Sequence, residues 1–222
     1  VLPRFGVTLK LSVIGIIIST LVGVPLGILT AVKQYSVWDY VPSVLAFLLA
    51  AIPSFVLGMS LLLIFSLKLN WLPSYGLATW KSYIMPALCM AIPVTAFNVR
   101  FTKSSMLESI RADYIDTARA KGATERTVIW KHALKNALLP VITNIGLNMG
   151  GLIMGAVVAE RLFSVPGIGA LIVDRIAYKD EPVIIAGTIV ISITFTAIML
   201  LVDIIYAFVD PRIKAKYTRV KG

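Results

Sequence analysis

An all-α integral membrane protein is the fold class this sequence predicts, and three observations predict it. Hydrophobic residues fill 58% of the 222 positions and charged residues only 14%, with a mean hydropathy of +0.89, far outside the balance of a soluble globular domain. The apolar residues gather into five runs free of Asp, Glu, Lys, Arg and His, over 11–32, 41–67, 82–99, 136–159 and 182–202. Each run is about 18 residues or longer, enough for a helix to cross the roughly 30 Å apolar slab of a bilayer. Finally, Lys and Arg are unequally shared between the two sets of connections, as they are when basic residues fix membrane orientation. Spans are therefore expected over about 11–32, 41–67, 82–101, 136–159 and 182–208, within one membrane domain covering 1–222.

The chain opens on Val1, with no methionine and no basic segment leading into a cleavage site. A longer parent is expected, with a sixth span upstream and a cytoplasmic start. In the first span, Gly23-Val-Pro-Leu-Gly27 is a small-xxx-small pattern that permits close helix approach. Proline interrupts the apolar runs at Pro25, Pro53, Pro86 and Pro93, expected as kinks within the membrane. The lone cysteine, Cys89, lies inside the third run and has no partner for an intrachain disulfide. Asn98 lies near the end of that run, which is followed by Arg100, whose long stem can snorkel to the interface.

The connection over 103–135 carries seven basic residues, Lys103, Arg111, Arg119, Lys121, Arg126, Lys131 and Lys135. If every span crosses, this connection shares a side with Lys33 and with the tail residues Arg212, Lys214, Lys216, Arg219 and Lys221, thirteen basic residues against seven opposite. The positive-inside rule places that side in the cytoplasm. Most of the +10 net charge is thereby accounted for by topology, without a nucleic-acid partner. Residues 104–121 are mostly good helix formers without Gly or Pro; Gly122 breaks the run, Thr124 can cap a new start, and 125–138 is helix-forming up to Pro140. The connection reads as helix, turn, helix. With the small Ala118, Ala120 and Ala123 around Gly122 and with Asp113, Asp116, Arg119 and Arg126 flanking it, the element suits insertion into a groove on a partner; a solvated amphipathic loop on the membrane surface has the same composition.

The fourth span carries Gly146-Leu-Asn-Met-Gly150 and Gly151-Leu-Ile-Met-Gly155, for which tight helix packing is expected. Asn144 and Asn148, four apart, project from one helical face, and amides in hydrocarbon need a partner or a wet cavity. Asn144, Asn148 and Asn98 are the candidates for lining a translocation path. The outer connection over 160–181, with Pro166, Gly167 and Gly169, is expected to hold a short re-entrant or surface helix. Asp203, near the cytoplasmic end of the last span, either pairs with Arg100 or faces the headgroups.

Tyr114-Ile-Asp-Thr-Ala-Arg-Ala-Lys-Gly122, followed by Ala123-Thr-Glu-Arg126 and His132-Ala-Leu-Lys-Asn-Ala-Leu-Leu-Pro140, resembles the cytoplasmic signature of binding-protein-dependent ABC importer permeases. That signature is Glu-Ala-Ala, three residues, Gly, and a distal Leu-Pro. Asp116, Thr117 and Ala118 stand at the Glu-Ala-Ala positions and Gly122 at the Gly. Asp for Glu, Thr for Ala and a more distant Leu139-Pro140 are similar to the dipeptide, oligopeptide and nickel branch. Ile52-Pro-Ser-Phe55, Leu67-Lys-Leu-Asn-Trp-Leu-Pro-Ser-Tyr-Gly76, Glu160-Arg-Leu-Phe-Ser-Val-Pro-Gly-Ile-Gly169 and Asp210-Pro-Arg-Ile213 extend the resemblance over nearly the whole chain, closest to the first of that branch's paired permeases.

The resemblance implies a non-catalytic transport subunit in a bacterial or archaeal inner membrane. Its expected partners are a second permease, two ATP-binding subunits that bind the ATP, and an extracytoplasmic substrate-binding protein. It implies that Asp113, Asp116, Thr117, Ala118, Arg119, Gly122, Ala123 and Arg126 form the coupling element seated on an ATPase. Peptides, nickel complexes and glutathione are the implied range of substrates. No phosphate-cradling Gly-x-x-x-x-Gly-Lys-Ser/Thr, nucleophile elbow or metal-ligating set is present, and His132 is the only histidine. A secondary transporter or channel is the rival reading, yet it would normally carry an ionisable coupling residue at mid-membrane, which these spans lack. A membrane-embedded enzyme would need facing reactive groups that the sequence does not supply.

Overall fold

The computed structural model describes residues 1–209; the basic tail and the Asp210-Pro-Arg-Ile213 stretch lie outside the described residues. Helix α1 runs over Leu2–Val32 and α2 over Val37–Ala51; α3, Ser54–Leu61, continues through π-type turns over Leu62–Lys68. A 3-10 turn at Trp80–Tyr83 leads into α4, Ile84–Ile110. Two short helices, α5 (Asp113–Ala120) and α6 (Glu125–Thr127), precede π-type turns over Val128–Ala133 and α7, Leu134–Leu162. Helices α8 (Ile168–Ala177) and α9 (Glu181–Val209) complete the described chain.

Apolar stretches become long helices here because a backbone in hydrocarbon must satisfy its own polar groups. The same constraint decides which prolines break a helix. Pro25 and Pro93 lie inside uninterrupted α1 and α4, Pro86 sits in the first turn of α4, and α7 continues through Pro140. Only Pro53 of the four expected kinks ends a helix: Ile52 is extended, as the residue before proline prefers, and the two halves of the second span meet at 101°. Cys89 Sγ donates to the Ser54 carbonyl at 3.3 Å, at the start of α3 just beyond that break.

The order of contacts fixes the crossings. A β-carbon built on Gly15 would meet Met90, one on Gly23 would meet Asn98 and Thr95, and one on Gly27 would meet Thr102 and Val99. Numbers rise together, so α1 and α4 are parallel, and the bent α2–α3 pair must carry the chain back across between them. Ser105 and Ser109 of α4 donate to the carbonyls of Ala137 and Ala133, both at 2.8 Å, so α7 is antiparallel to α4. Gly146 faces Val202 and Gly150 faces Phe195, so α9 is antiparallel to α7. Five crossings follow among the described residues.

The core lies between α1, α3, α4 and α7, where Leu11, Met85, Cys89, Leu152, Phe163 and Val165 are buried. Close approach of α1 to α4 depends on glycine: a β-carbon on Gly27 would lie 2.8 Å from the Val99 carbonyl oxygen. The Gly146 and Gly150 positions pack likewise on α9, but Gly151 and Gly155 face open space within this subunit, so the second small-xxx-small pattern does not serve internal packing as expected. Helix α9 is peripheral, with 6% of its apolar window buried against 50% for α4. At the other end of the crossing, Asp39 of α2 is buried against Lys103 of α4, with Tyr35 N and Ser43 Oγ also donating to it at 3.1 Å each.

Candidate functional site

The connection between α4 and α7 is a helical hairpin with a small core of its own. Ile115, Val128 and Ala133 are fully buried, with Ile110 and Ala123 packed against them. The run over 104–121 is therefore two helices: α4 ends at Ile110, and the chain turns at Arg111 and Ala112 before α5 begins. The apolar Ile115 is drawn under the hairpin by that turn, and the polar faces are left outside.

The reversal occurs at Gly122, whose φ is +82°. Left-handed backbone is nearly free for glycine and costs about 1 kcal/mol or more for residues with a β-carbon. No atom lies within 4 Å of a β-carbon built there, so the requirement is the turn itself and not crowding within the chain. Thr124 caps the next helix as expected, accepting from Thr127 N at 3.4 Å. Arg119 of α5 ties the two arms across the turn through Glu125 at 2.8 Å, and pairs within its own helix with Asp116 at 3.2 Å. The hydrogen bond from Arg119 holds the Glu125 carboxyl below the usual glutamate range, and the bond to Glu125 raises the guanidinium in turn.

Asp113, Asp116, Thr117, Arg119, Gly122 and Arg126 are all exposed, and Ala118 and Ala123 are half-buried beneath them. All eight expected docking residues thus lie on one hairpin with its charged rim facing outward. Sequence reasoning missed the clamp that holds it. Ser109 Oγ bonds both the Ala133 carbonyl and Tyr114 Oη, at 2.8 and 2.6 Å, and Ser105 adds a second bond to α7 one turn away. The i, i+4 spacing of Ser105 and Ser109 was the available signal. Exposed Trp130, on the second arm, was also missed.

The three candidate path residues converge. Asn144 Nδ2 and Asn148 Nδ2 both donate to Asn98 Oδ1, at 3.1 and 3.0 Å, joining α7 to α4 in mid-span. Asn98 and Asn144 are buried and Asn148 is half-buried; Asn98 Oδ1 takes both donors, while Asn98 Nδ2 has no partner. The cluster separates two cavities along one face of α7. Asn148 lines one of about 240 Å³ with Ser54, Cys89, Gly151, Gly155 and Val158. Asn144 lines the other, about 380 Å³, with Phe101, Pro140, Thr143, Asp203 and Tyr206. Asp203 is exposed in that second cavity, and none of the five ion pairs among the described residues joins it to Arg100. No group of three metal-ligating side chains occurs among the described residues.

Comparison with known proteins follows the same outline. Residues 23–215 match the family described as "Binding-protein-dependent transport system inner membrane component". The glutathione transport system permease protein GsiC of Pectobacterium atrosepticum is 42% identical over 213 residues, covering 96% of this chain and 70% of that protein. The protein of the same name from Escherichia coli K12 is 39% identical over the same shares. Among solved structures, an inward-facing MetNI methionine ABC transporter superposes with a TM-score of 0.77 at 18% identity, covering 94% of this chain and 95% of that one. An amino acid ABC transporter solved with histidines gives 0.72 at 13% identity over 92% of each chain. At such identities these structures establish the shared fold.

Proposed function

The chain belongs to the family of binding-protein-dependent transport system inner membrane components, and from that premise we propose that its α4–α7 hairpin is the element through which ATP hydrolysis in a partner subunit drives it. It is a multi-pass permease subunit of an ABC importer, without catalysis of its own. The observation that carries the docking assignment is the hairpin's construction: an exposed charged rim on a body with its own buried core, clamped by Ser105, Ser109 and Tyr114 to both long helices. A connection that rigid delivers a displacement to α4 and α7 that a loose loop would absorb.

In this reading the hairpin and the C-terminus face the cytoplasm, where the excess of Lys and Arg belongs. A second permease, two ATP-binding subunits and an extracytoplasmic binding protein complete the importer. Gly151, Gly155 and the two cavities along α7 face the second permease, and substrate passes by Asn148 and Asn144 with Asn98 holding both. Short peptides and related solutes are the substrate class, with glutathione foremost because the relatives named above are glutathione permeases.

Gly122→Trp in the assembled importer is the test. A bulky residue at a left-handed turn on the docking rim is expected to lower ATP-dependent uptake by about tenfold or more, with the subunit still reaching the membrane. Normal copurification of the ATPase together with undiminished uptake would remove the hairpin from the coupling route.

A further inference from the structure

Glu160, in the last turn of α7, is 0% exposed, and none of the five ion pairs among the described residues includes it. A carboxyl group buried in a membrane protein without a cation is costly and needs several donors. Its partners come from two other helices. Thr8 of α1 donates its hydroxyl to Oε1, and Ala170 N, in the first turn of α8, donates to Oε2 at 2.8 Å. Thr8 Oγ1 in turn accepts from Ile168 N at 2.9 Å. The carboxyl group and the hydroxyl together take up two of the free N–H groups at the start of α8, those of Ala170 and Ile168, where helix geometry favours negative charge.

This arrangement explains the glycines of the Glu160-Arg-Leu-Phe-Ser-Val-Pro-Gly-Ile-Gly169 stretch. A β-carbon on Gly167 would fall onto the Glu160 carboxyl group, and one on Gly169 would lie 3.0 Å from Oε2 and 3.1 Å from Val157 Cα. A second, exposed tie between the same helices is the ion pair of Arg161 with Asp174. Helix α8 also carries the next span, since Ile172 packs so closely on Gly187 of α9 that a β-carbon there would lie only 2.8 Å from Ile172 Cγ1.

Helix α7 connects this lock to the hairpin. It is one unbroken helix of 29 residues, about 43 Å at 1.5 Å per residue, rising from the clamped hairpin at one membrane face and ending at Glu160 by the other. We propose that Glu160 is a positioning residue for transport: it makes the ends of α1 and α7 and the whole of α8 one body, so that movement imposed on the hairpin reaches the opposite membrane face without slack. Swinging α8 away alone would strand the carboxyl group, which is why the three elements move together. The inference rests on the coupling role given to the hairpin above.

The test uses the whole importer with its ATPase subunits and binding protein, in a Cys89→Ala background carrying Ala170→Cys as a reporter. Maleimide labelling in detergent reads the seating of α8 from either side of the membrane. Glu160→Ala is expected to speed labelling and to lower maximal uptake, each by about tenfold or more, while complex yield and basal ATPase activity stay within about twofold; Glu160→Gln, which keeps one acceptor oxygen, falls between. Unchanged labelling overturns the proposal, as does faster labelling with uptake within about twofold of wild type, or uptake lost only in proportion to complex yield. If Gly122→Trp leaves uptake intact, the coupling role fails, while the labelling comparison still decides whether Glu160 holds α8.

Discussion

Gly122 and Glu125 show how much of the turn between α5 and α6, the proposed docking element, rests on single residues. Gly122 supplies a left-handed φ with nothing crowding it, so its role is conformational within the chain and any steric role belongs to a contact with a partner. Glu125 is held below its ordinary value of 4.5 by the hydrogen bond from Arg119. A carboxyl group lowered in the folded state contributes its stability above the unfolded value, and that contribution is lost as pH falls through the folded one. Amide exchange at Thr127 and Val128, corrected for intrinsic rates, is expected to be flat from neutral pH down to about 5 and to accelerate below about 4. Arg119→Gln should flatten that acid response; an unchanged response would mean the pair does not hold the turn. Gly122 and the Thr124 cap are legible in the sequence because turn and cap chemistry is local. Glu160 is not, since Thr8 lies 152 residues away, and Asn98 lies 46 residues from Asn144.

Helix by helix, the glycine patterns separate into those that pack this subunit and those that face outward. Gly27→Ala would set a β-carbon 2.8 Å from the Val99 backbone oxygen, so α1 and α4 must part. A loss of about 1–3 kcal/mol, read as a lower melting temperature of the purified subunit, is expected. Gly155→Ala meets no atom within 4 Å and should leave that temperature unchanged, any effect emerging only when the importer assembles. Equal destabilisation by the two would refute the division. The sequence marks both patterns alike, because a small-xxx-small spacing identifies a face without identifying what lies against it. It also marks Pro25, Pro53, Pro86 and Pro93 alike. Only Pro53 follows an extended residue and ends a helix, at a 101° bend that proline content alone does not distinguish.

For the molecule as a whole, five apolar runs become five crossings, and the parallel contact of α1 with α4 is what requires the bent pair to return across the membrane. The class and the number of spans were legible because hydrocarbon imposes helices about 20 residues long. Which helices touch was not legible, because every span is apolar on most of its surface. In the proposed coupling the chain is a lever: a hairpin at one face, α7 and α4 through the membrane, and α8, bonded to Glu160, at the other face. The most direct test of this account is site-directed cross-linking in the intact importer, in the Cys89→Ala background, with single cysteines replacing Arg119, Arg126 or, at the opposite face, Tyr178. The account predicts adducts to the ATP-binding subunit from the two hairpin positions, shifting in yield when ATP is trapped, and none from Tyr178→Cys. Hairpin cysteines that label from outside the cell, or an ATP-binding subunit captured only from Tyr178→Cys, would contradict it.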